Sequence, residues 1–285
     1  MKLIRFGPVN KERPGVELPD GKRIDVSAYC SDYDENFFSG EGIHGLFEWL
    51  HSHQEKAPVV PAVERLGAPV ARPSKIVCVG LNYSDHAREA GMDIPKEPIL
   101  FFKSTTSLCG PYDHVIIPKN SKKTDWEVEL AVIIGKKASY ISEDQVQEHI
   151  AGYCIMNDVS EREFQLERAG QWVKGKSADT FSPLGPYLVT PDEAGNVDNL
   201  HLWLEINGER VQDGSTHTLI FKIPFVISYI SQFMTFLPGD IISTGTPPGV
   251  GMGLKPPRYL KPGDVMELGI EGLGVSRQEV IAYPS

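Results

Sequence analysis

The chain has 285 residues, of which 41% are hydrophobic, 23% charged and 9% aromatic; this composition excludes a disordered tail, a collagen-like fibre and a coiled coil. Lys and Arg number 28 against 38 Asp and Glu, for a formal charge of -10, and no Lys/Arg-dense stretch offers the basic face of a nucleic-acid binder. So acidic a protein can hold an anionic substrate only where a metal or a few placed cations help.

Taken in chain order, Met1 to Pro8 has no apolar run long enough for a signal peptide. Val16 to Val26 reads as a hairpin turning at Pro19-Asp20-Gly21. Gly42 to His53 predicts a short helix with Leu46, Phe47 and Leu50 on one face. Ala57 to Pro73, rich in Pro and Ala, reads as a linker, so that a small N-terminal β-rich domain with its linker (1–71) precedes the main body (72–285). In that body Lys75 to Gly80 is an apolar strand leading through a turn into a short helix. Thr124 to Gly135 reads as one strand covered on both faces. Ser142 to Ile150 predicts a helix capped by Ser142. Gly152 to Asp158 is another apolar strand, followed by a helix from Ser160.

Leu202 to Val211 forms a hairpin around Asn207-Gly208, a type I′ turn signal. Phe225 to Phe236 has helical spacing, and the apolar stretch around it, Ile223 to Leu237, is too short and too polar to span a bilayer. Pro-Gly-Asp occurs at 238–240 and 262–264, each a turn feeding a strand. Cys30, Cys78, Cys109 and Cys154 form no Cys-x-x-Cys pair, and Cys78 and Cys154 read as core residues. Together these elements predict a mixed α+β, β-dominated protein, cytoplasmic, with reduced thiols and no membrane partner.

The strand Thr124–Gly135 carries the first candidate chemistry. Glu127 and Glu129, two apart, share one face with Ala131 and Ile133, roughly 6.6 Å from each other along the strand. Two carboxylates on a covered face repel and lose hydration, a conflict a divalent cation relieves. The alternative is a strand end open to solvent, with both acids merely wet. Asp158, at the end of Gly152–Asp158, is a third carboxylate; its alternative role is N-cap of the following helix. Three carboxylates suit Mg²⁺ or Mn²⁺ better than zinc.

His86 and Glu89, three apart on a predicted helix, form a His/carboxylate pair suited to general-base work. Exposed pairs of this kind are common, and Asp85 with Arg88 is another. The Gly-rich stretch Ser243 to Gly253 lacks the endings of a P-loop or a dinucleotide site and reads as the wall of a small-ligand pocket, the alternative being plain turn chemistry. There is no G-x-S-x-G elbow and no H-E-x-x-H.

Glu127-x-Glu129 with downstream Asp158 resembles the fumarylacetoacetate hydrolase family. Val79-Gly80-Leu81-Asn82-Tyr83 with the Asp-His after it, Lys103-Ser104, Lys176-Ser177 and Thr244 to Gly251 fit the resemblance in the family's order over about residues 72–285. It implies a mixed β-roll, usually as a homodimer, and within the family the chain is similar to the small bacterial branch that hydrolyses 2,4-diketo acids derived from deoxy sugars. By resemblance, Glu127, Glu129 and Asp158 hold Mg²⁺ or Mn²⁺; His86 and Glu89 activate water; Lys176 supports the oxyanion; Arg162, Gln165 and Thr246 contact the anionic substrate. Where larger members have a further metal-linked Asp, this chain has Asn82, one negative charge fewer. Alternatives on the same site are oxaloacetate decarboxylation, tautomerisation and ureidoglycolate lysis; a non-catalytic metal-binding sensor is a third class, and it would have no need of a His86/Glu89 base.

Overall fold

The computed structural model describes residues 1–85 and 93–284. Two sheets dominate them. The larger has, from edge to edge, Arg23–Asp25, Arg13–Glu17, Lys2–Phe6, Leu188–Val189, Ile150–Asn157, Val128–Ile134, Ile241–Ser243, Ile76–Gly80 and Ile99–Lys103, with Leu66–Gly67 also paired to Lys2–Phe6. The smaller has Glu209–Ser215, His201–Ile206, Val265–Ile270, Gly274–Ala282 and Val115–Ile117. Most neighbours are antiparallel; Ile241–Ser243 runs parallel to Ile76–Gly80, and Gly274–Ala282 parallel to Val115–Ile117.

The period of two along a strand sorts side chains onto opposite faces, and the central strand shows this cleanly. Val128, Leu130, Val132 and Ile134 join a core that includes Leu202, Leu204, Met266 and Leu268 of the smaller sheet. Ala131 and Ile133 join a second core with Ile76, Cys78, Phe101, Cys154, Met156 and Ile241, roofed by Phe37, Phe38, Leu46 and Leu50 of the N-terminal helices Glu35–Ser39 and Gly42–His53. Cys78 and Cys154 are core residues, as their apolar runs imply. The strand is thus covered on both sides.

The N-terminal strands continue the large sheet: Leu3 pairs with Leu188, and Leu3 and Val16 share a core with Ile76 and Ala131. Segments on both sides of the 71/72 boundary therefore lie in one sheet and one core. The stretch Ala57–Pro73 itself supplies the strand Leu66–Gly67.

Both hairpins form. Arg13–Glu17 pairs with Arg23–Asp25, and His201–Ile206 with Glu209–Ser215. Asn207 (φ 54°) and Gly208 (φ 82°) both take positive φ, as a type I′ turn requires. Each Pro-Gly-Asp turn leads into a strand, Ile241–Ser243 and Val265–Ile270.

Other expectations need correction. Helix Gly42–His53 buries Leu46 and Leu50 but exposes Phe47, which lies about 100° round the helix from Leu46. Ser142 is the N-cap expected, but the segment it opens, Glu143–His149, is 3₁₀, with the Ser142 backbone N–H donating to Gln145 Oε1. The helix from Ile223 ends at Ser231, after which Phe236 pairs with Ala138. Thr124–Gly135 is two strands: Thr124–Asp125 pairs with Ser160–Glu161, so the helical segment expected from Ser160 starts only at Glu163, as a π-helical turn Glu163–Glu167, and the main strand begins at Val128. Among the described residues no helix is long and apolar enough to cross a membrane.

Candidate active site

One end of the second core's sheet face is polar, and strand register dictates which residues meet there. Ala131 pairs with Ser243, Glu129 with Met156, and Ile76 with Lys103. Counting by twos from the core residues Ala131, Met156, Ile241 and Phe101 gives Glu129, Asp158, Ser243 and Lys103 on the same face. The backbone pairing persists one step past the strand ends, because the Asp158 N–H donates to the Glu127 carbonyl (2.9 Å). Glu127 thereby joins the face. One oxygen from each of Glu127, Glu129 and Asp158 lies within 4.8 Å of the others, and all three side chains are buried. Neither alternative holds: the strand end is not open to solvent, since all three acids are buried, and Asp158 caps no helix.

Three buried cations answer part of this charge. Lys176 Nζ donates to Glu127 Oε2 (2.7 Å) and Asp158 Oδ2 (2.8 Å). Lys103 Nζ donates to Asp158 Oδ1 (2.5 Å) and the Val159 carbonyl (3.0 Å). Arg162 Nε donates to Asp125 Oδ2 (2.8 Å), Nη1 to Gln165 Oε1 (3.1 Å), and Nη2 lies 2.7 Å from Glu127 Oε1 as an ionic contact without an aligned hydrogen bond. Asp125, Glu127, Glu129 and Asp158 thus face Lys103, Lys176 and Arg162, one carboxylate in excess.

The excess falls on Glu129. Among the described residues its hydrogen-bond donors are neutral, Ser243 Oγ (2.5 Å) and the Gly245 N–H (2.9 Å), both to Oε2. Gly245 has φ 107°, and a Cβ there would meet Asn82 at 2.9 Å, so the loop needs glycine to bring this N–H to the carboxylate. Burial, then the charges of Asp158 and Glu127, push the Glu129 carboxyl well above the ordinary range. Burial also opposes ionisation of Glu127, but Lys176 and Arg162 outweigh it and hold that carboxyl down at about 2. Lys103 is shifted below the ordinary lysine value, by burial that Asp158 only partly offsets. Lys176 goes the other way: burial lowers it, but Asp158 and Glu127 more than compensate.

This donor set fits a hard divalent cation. It offers three convergent carboxylates, one of them unneutralised, with no thiol or imidazole among the three. Glu127, Glu129 and Asp158 would hold the ion.

Glu127 and Glu129 line a cavity of about 200 Å³ together with Arg162, Gln165, Lys176 and Thr246. The structure thus gathers seven of the nine residues singled out from the sequence, with Asp158 just beneath the cavity; His86 and Glu89 lie outside the described residues. The Gly-rich loop forms part of the wall through Thr246, Val250 and Met252. Thr246 Oγ1 donates to the Val128 carbonyl (2.9 Å) and accepts from Gln212 Nε2 (2.8 Å). A larger hollow of about 690 Å³, between Phe38–Phe47 and Lys136, Glu148 and Thr190, lies apart from this cluster.

Three supporting residues escape a reading by local spacing. Lys103 reaches Asp158 across 55 positions. Asp125 accepts from the Gly251 and Met252 N–H groups (2.7 and 2.9 Å) as well as from Arg162, tying the Gly-rich loop to the site. Gln212 joins Val128 to Thr246. Asn82 spends both amide hydrogens on the Phe221 and Thr244 carbonyls (3.1 and 2.8 Å) and accepts from the Phe221 N–H (2.8 Å). It is a brace between loops, which the idea of a merely missing charge does not convey.

The β-dominated mixed fold thus carries, at the end of one sheet face, a buried carboxylate triad that is a candidate divalent-cation site. Residues 75–281 match the family described as Fumarylacetoacetate (FAA) hydrolase C-terminal, and the chain belongs to that family. It is 51% identical over 279 residues to a Burkholderia multivorans protein named as a hydrolase without a substrate, covering 98% of both chains. It is similar to the solved fumarylacetoacetate hydrolase from Exiguobacterium antarcticum, with 37% identity, a TM-score of 0.86, and coverage of 99% of this chain and 100% of that one. It is also similar to the maleylpyruvate hydrolase from Sphingobium sp. SYK-6 solved in complex with manganese (II) ion and pyruvate, with 28% identity, a TM-score of 0.84 and 100% coverage of both. The fold is accordingly of the fumarylacetoacetate hydrolase type.

Proposed function

We propose that this chain is an Mg²⁺- or Mn²⁺-dependent hydrolase that cleaves the C3–C4 bond of a 2,4-diketo acid, of the kind derived from deoxy sugars, to pyruvate and a carboxylic acid such as lactate. The observation that carries the reading is the convergence of Glu127, Glu129 and Asp158 under a small cavity whose polar lining is Arg162, Gln165, Lys176 and Thr246. The manganese ion and pyruvate in the Sphingobium neighbour support it.

In this reading the bound ion supplies Lewis acidity at the keto-acid end of the substrate. His86, oriented by Glu89, takes a proton from water, and the resulting nucleophile attacks the 4-oxo carbon. Lys176, kept charged by Glu127 and Asp158, supports the negative charge that develops as the C3–C4 bond breaks and pyruvate leaves as its enolate. Arg162 and Gln165, linked through Nη1 and Oε1, present a fixed donor array to the substrate's oxygens. Thr246, whose hydroxyl donates to the Val128 carbonyl and accepts from Gln212 Nε2, lies in the cavity wall, where turning its hydrogen to the substrate would let it donate to the carboxylate. We further propose that the enzyme acts in the cytoplasm as a homodimer, which light scattering tests against the 31.5 kDa chain mass.

The experiment is turnover of 2,4-diketo acids, oxaloacetate and ureidoglycolate with Mg²⁺ or Mn²⁺, with pyruvate as readout for the first two and glyoxylate for the third. Preferential hydrolysis of a 2,4-diketo acid supports the proposal. Turnover of oxaloacetate or ureidoglycolate alone refutes it.

A further inference from the structure

The cavity has two chemically different halves. Its polar groups gather over the triad, while Leu81, Phe101, Leu166, Trp172, Val250 and Met252 supply the remaining wall. Phe101 stands where the halves meet: Lys176 Nζ lies 4.8 Å from its ring centroid, and the Trp172 ring packs against it with centroids 5.3 Å apart. The indole also presses on the end of strand Ile76–Gly80, where a Cβ on Gly80 would meet it at 2.8 Å. Leu81, next in sequence, sits at φ 52°, uncommon for a residue other than glycine. The apolar half is therefore a shaped surface, fixed by the close approach of Trp172 to Gly80 and by the Phe101–Trp172 pair.

The cations lining the cavity among the described residues are Arg162 and Lys176, and both are engaged by Asp125, Glu127 and Asp158. Neither is spare for a second carboxylate at the far end. A volume of about 200 Å³ lies below the range of about 300–1,000 Å³ usual for drug-sized ligands, which suits a substrate of a few carbons.

We propose that the apolar half selects an uncharged, methyl-ended tail on the substrate, with Trp172 as the residue that limits and rewards its length. The orientation, keto-acid end over the triad, rests on the hydrolase reading above. Burial of each added methylene against this wall tightens binding by about fourfold, until the tail reaches Trp172. A tail ending in carboxylate loses hydration without gaining a counter-charge from the described lining residues and binds more weakly.

The test uses the Mn²⁺-loaded full chain and measures dissociation constants for pyruvate, 2-oxobutanoate, 2-oxopentanoate and 2-oxohexanoate against oxaloacetate and 2-oxoglutarate, with turnover of 2,4-diketo acids bearing matching tails. Affinity should climb along the alkyl series and fall for the carboxylate-ended acids of equal length. Trp172→Ala should flatten that climb while leaving the pyruvate constant and Mn²⁺ affinity unchanged. Leu166→Lys, at an exposed position, should shift preference toward carboxylate-ended acids by about tenfold and guards against a misfolded Trp172 variant. Carboxylate-ended acids binding as well as alkyl ones, or Trp172→Ala weakening every acid equally, overturns the proposal. If alkyl preference holds but no diketo acid is cleaved, the hydrolase reading falls and this one stands. Cleavage with carboxylate-ended tails preferred does the reverse, and failure of every 2-oxo acid to bind sinks both.

Discussion

Glu127 and Glu129 are two residues apart on one face, yet their neutralisation should have opposite effects on the metal-free protein. Glu127 is held by Lys176 and Arg162. Glu127→Gln leaves those two buried cations partly uncompensated, and breaking a buried pair from one side costs about 3–5 kcal/mol. At about 2.1 cal/mol/K per residue, unfolding 285 residues carries an entropy of about 0.6 kcal/mol/K, so the melting temperature should fall by about 5–8 °C. Glu129 repels Asp158 and Glu127 and is met by neutral donors. Glu129→Gln keeps an oxygen for Ser243 and Gly245 and removes the repulsion, so the metal-free melting temperature should stay level or rise. Both variants lose a ligand and should bind Mn²⁺ at least tenfold more weakly. The assay is calorimetric melting of chelator-treated wild type and variants, paired with Mn²⁺ titration. Equal destabilisation by the two substitutions would refute the charge assignment.

Three further outcomes follow from the same geometry. The raised Glu129 carboxyl contributes stability that is complete below its unfolded value of about 4.5 and is lost as pH rises through the folded value, whereas the lowered Glu127 contributes stability lost as pH falls from about 4.5 toward about 2. As pH rises through that raised folded value a cation takes over the proton's role at Glu129, so the gain in melting temperature on adding Mn²⁺ should grow with pH; a gain that shrinks with pH contradicts this. With metal content matched, His86→Ala should slow 2,4-diketo acid hydrolysis by about 10²–10⁴ and any oxaloacetate decarboxylation much less, since only the former needs an activated water; equal collapse of both removes the general-base role. Asn82→Asp sets lone pairs against the Phe221 and Thr244 carbonyls, each costing about 1–3 kcal/mol when left unpaired. It should lower the melting temperature without tightening Mn²⁺ binding, and a tighter site would show that the position still serves the metal.

Much of the site was legible in the sequence because period-two alternation is local. Glu127 and Glu129 declare their shared face through Ala131 and Ile133, and the two faces do separate into two cores. The turns at Asn207-Gly208 and the Pro-Gly-Asp sites are equally local. What escaped depends on pairing across long separations. Lys103 enters the sequence only as part of a motif and gains its role when Ile76–Gly80 and Ile241–Ser243 carry it beside Asp158. The N-terminal hairpin reads as a separate unit until Lys2–Phe6 pairs with Leu188–Val189. Ser160–Glu161 has helix-like composition, but Thr124–Asp125 captures it as a strand. In each case tertiary pairing overrides local preference.

The central claim is that Glu127, Glu129 and Asp158 form a divalent-cation site, and a Mn²⁺ titration of the chelator-treated chain tests it most directly. Calorimetry together with the loss of the free-ion electron paramagnetic resonance signal should show one saturable equivalent per chain, abolished or strongly weakened by Glu129→Gln while the fold is retained. Absence of stoichiometric binding to the folded wild type, or binding untouched by Glu129→Gln, would contradict it.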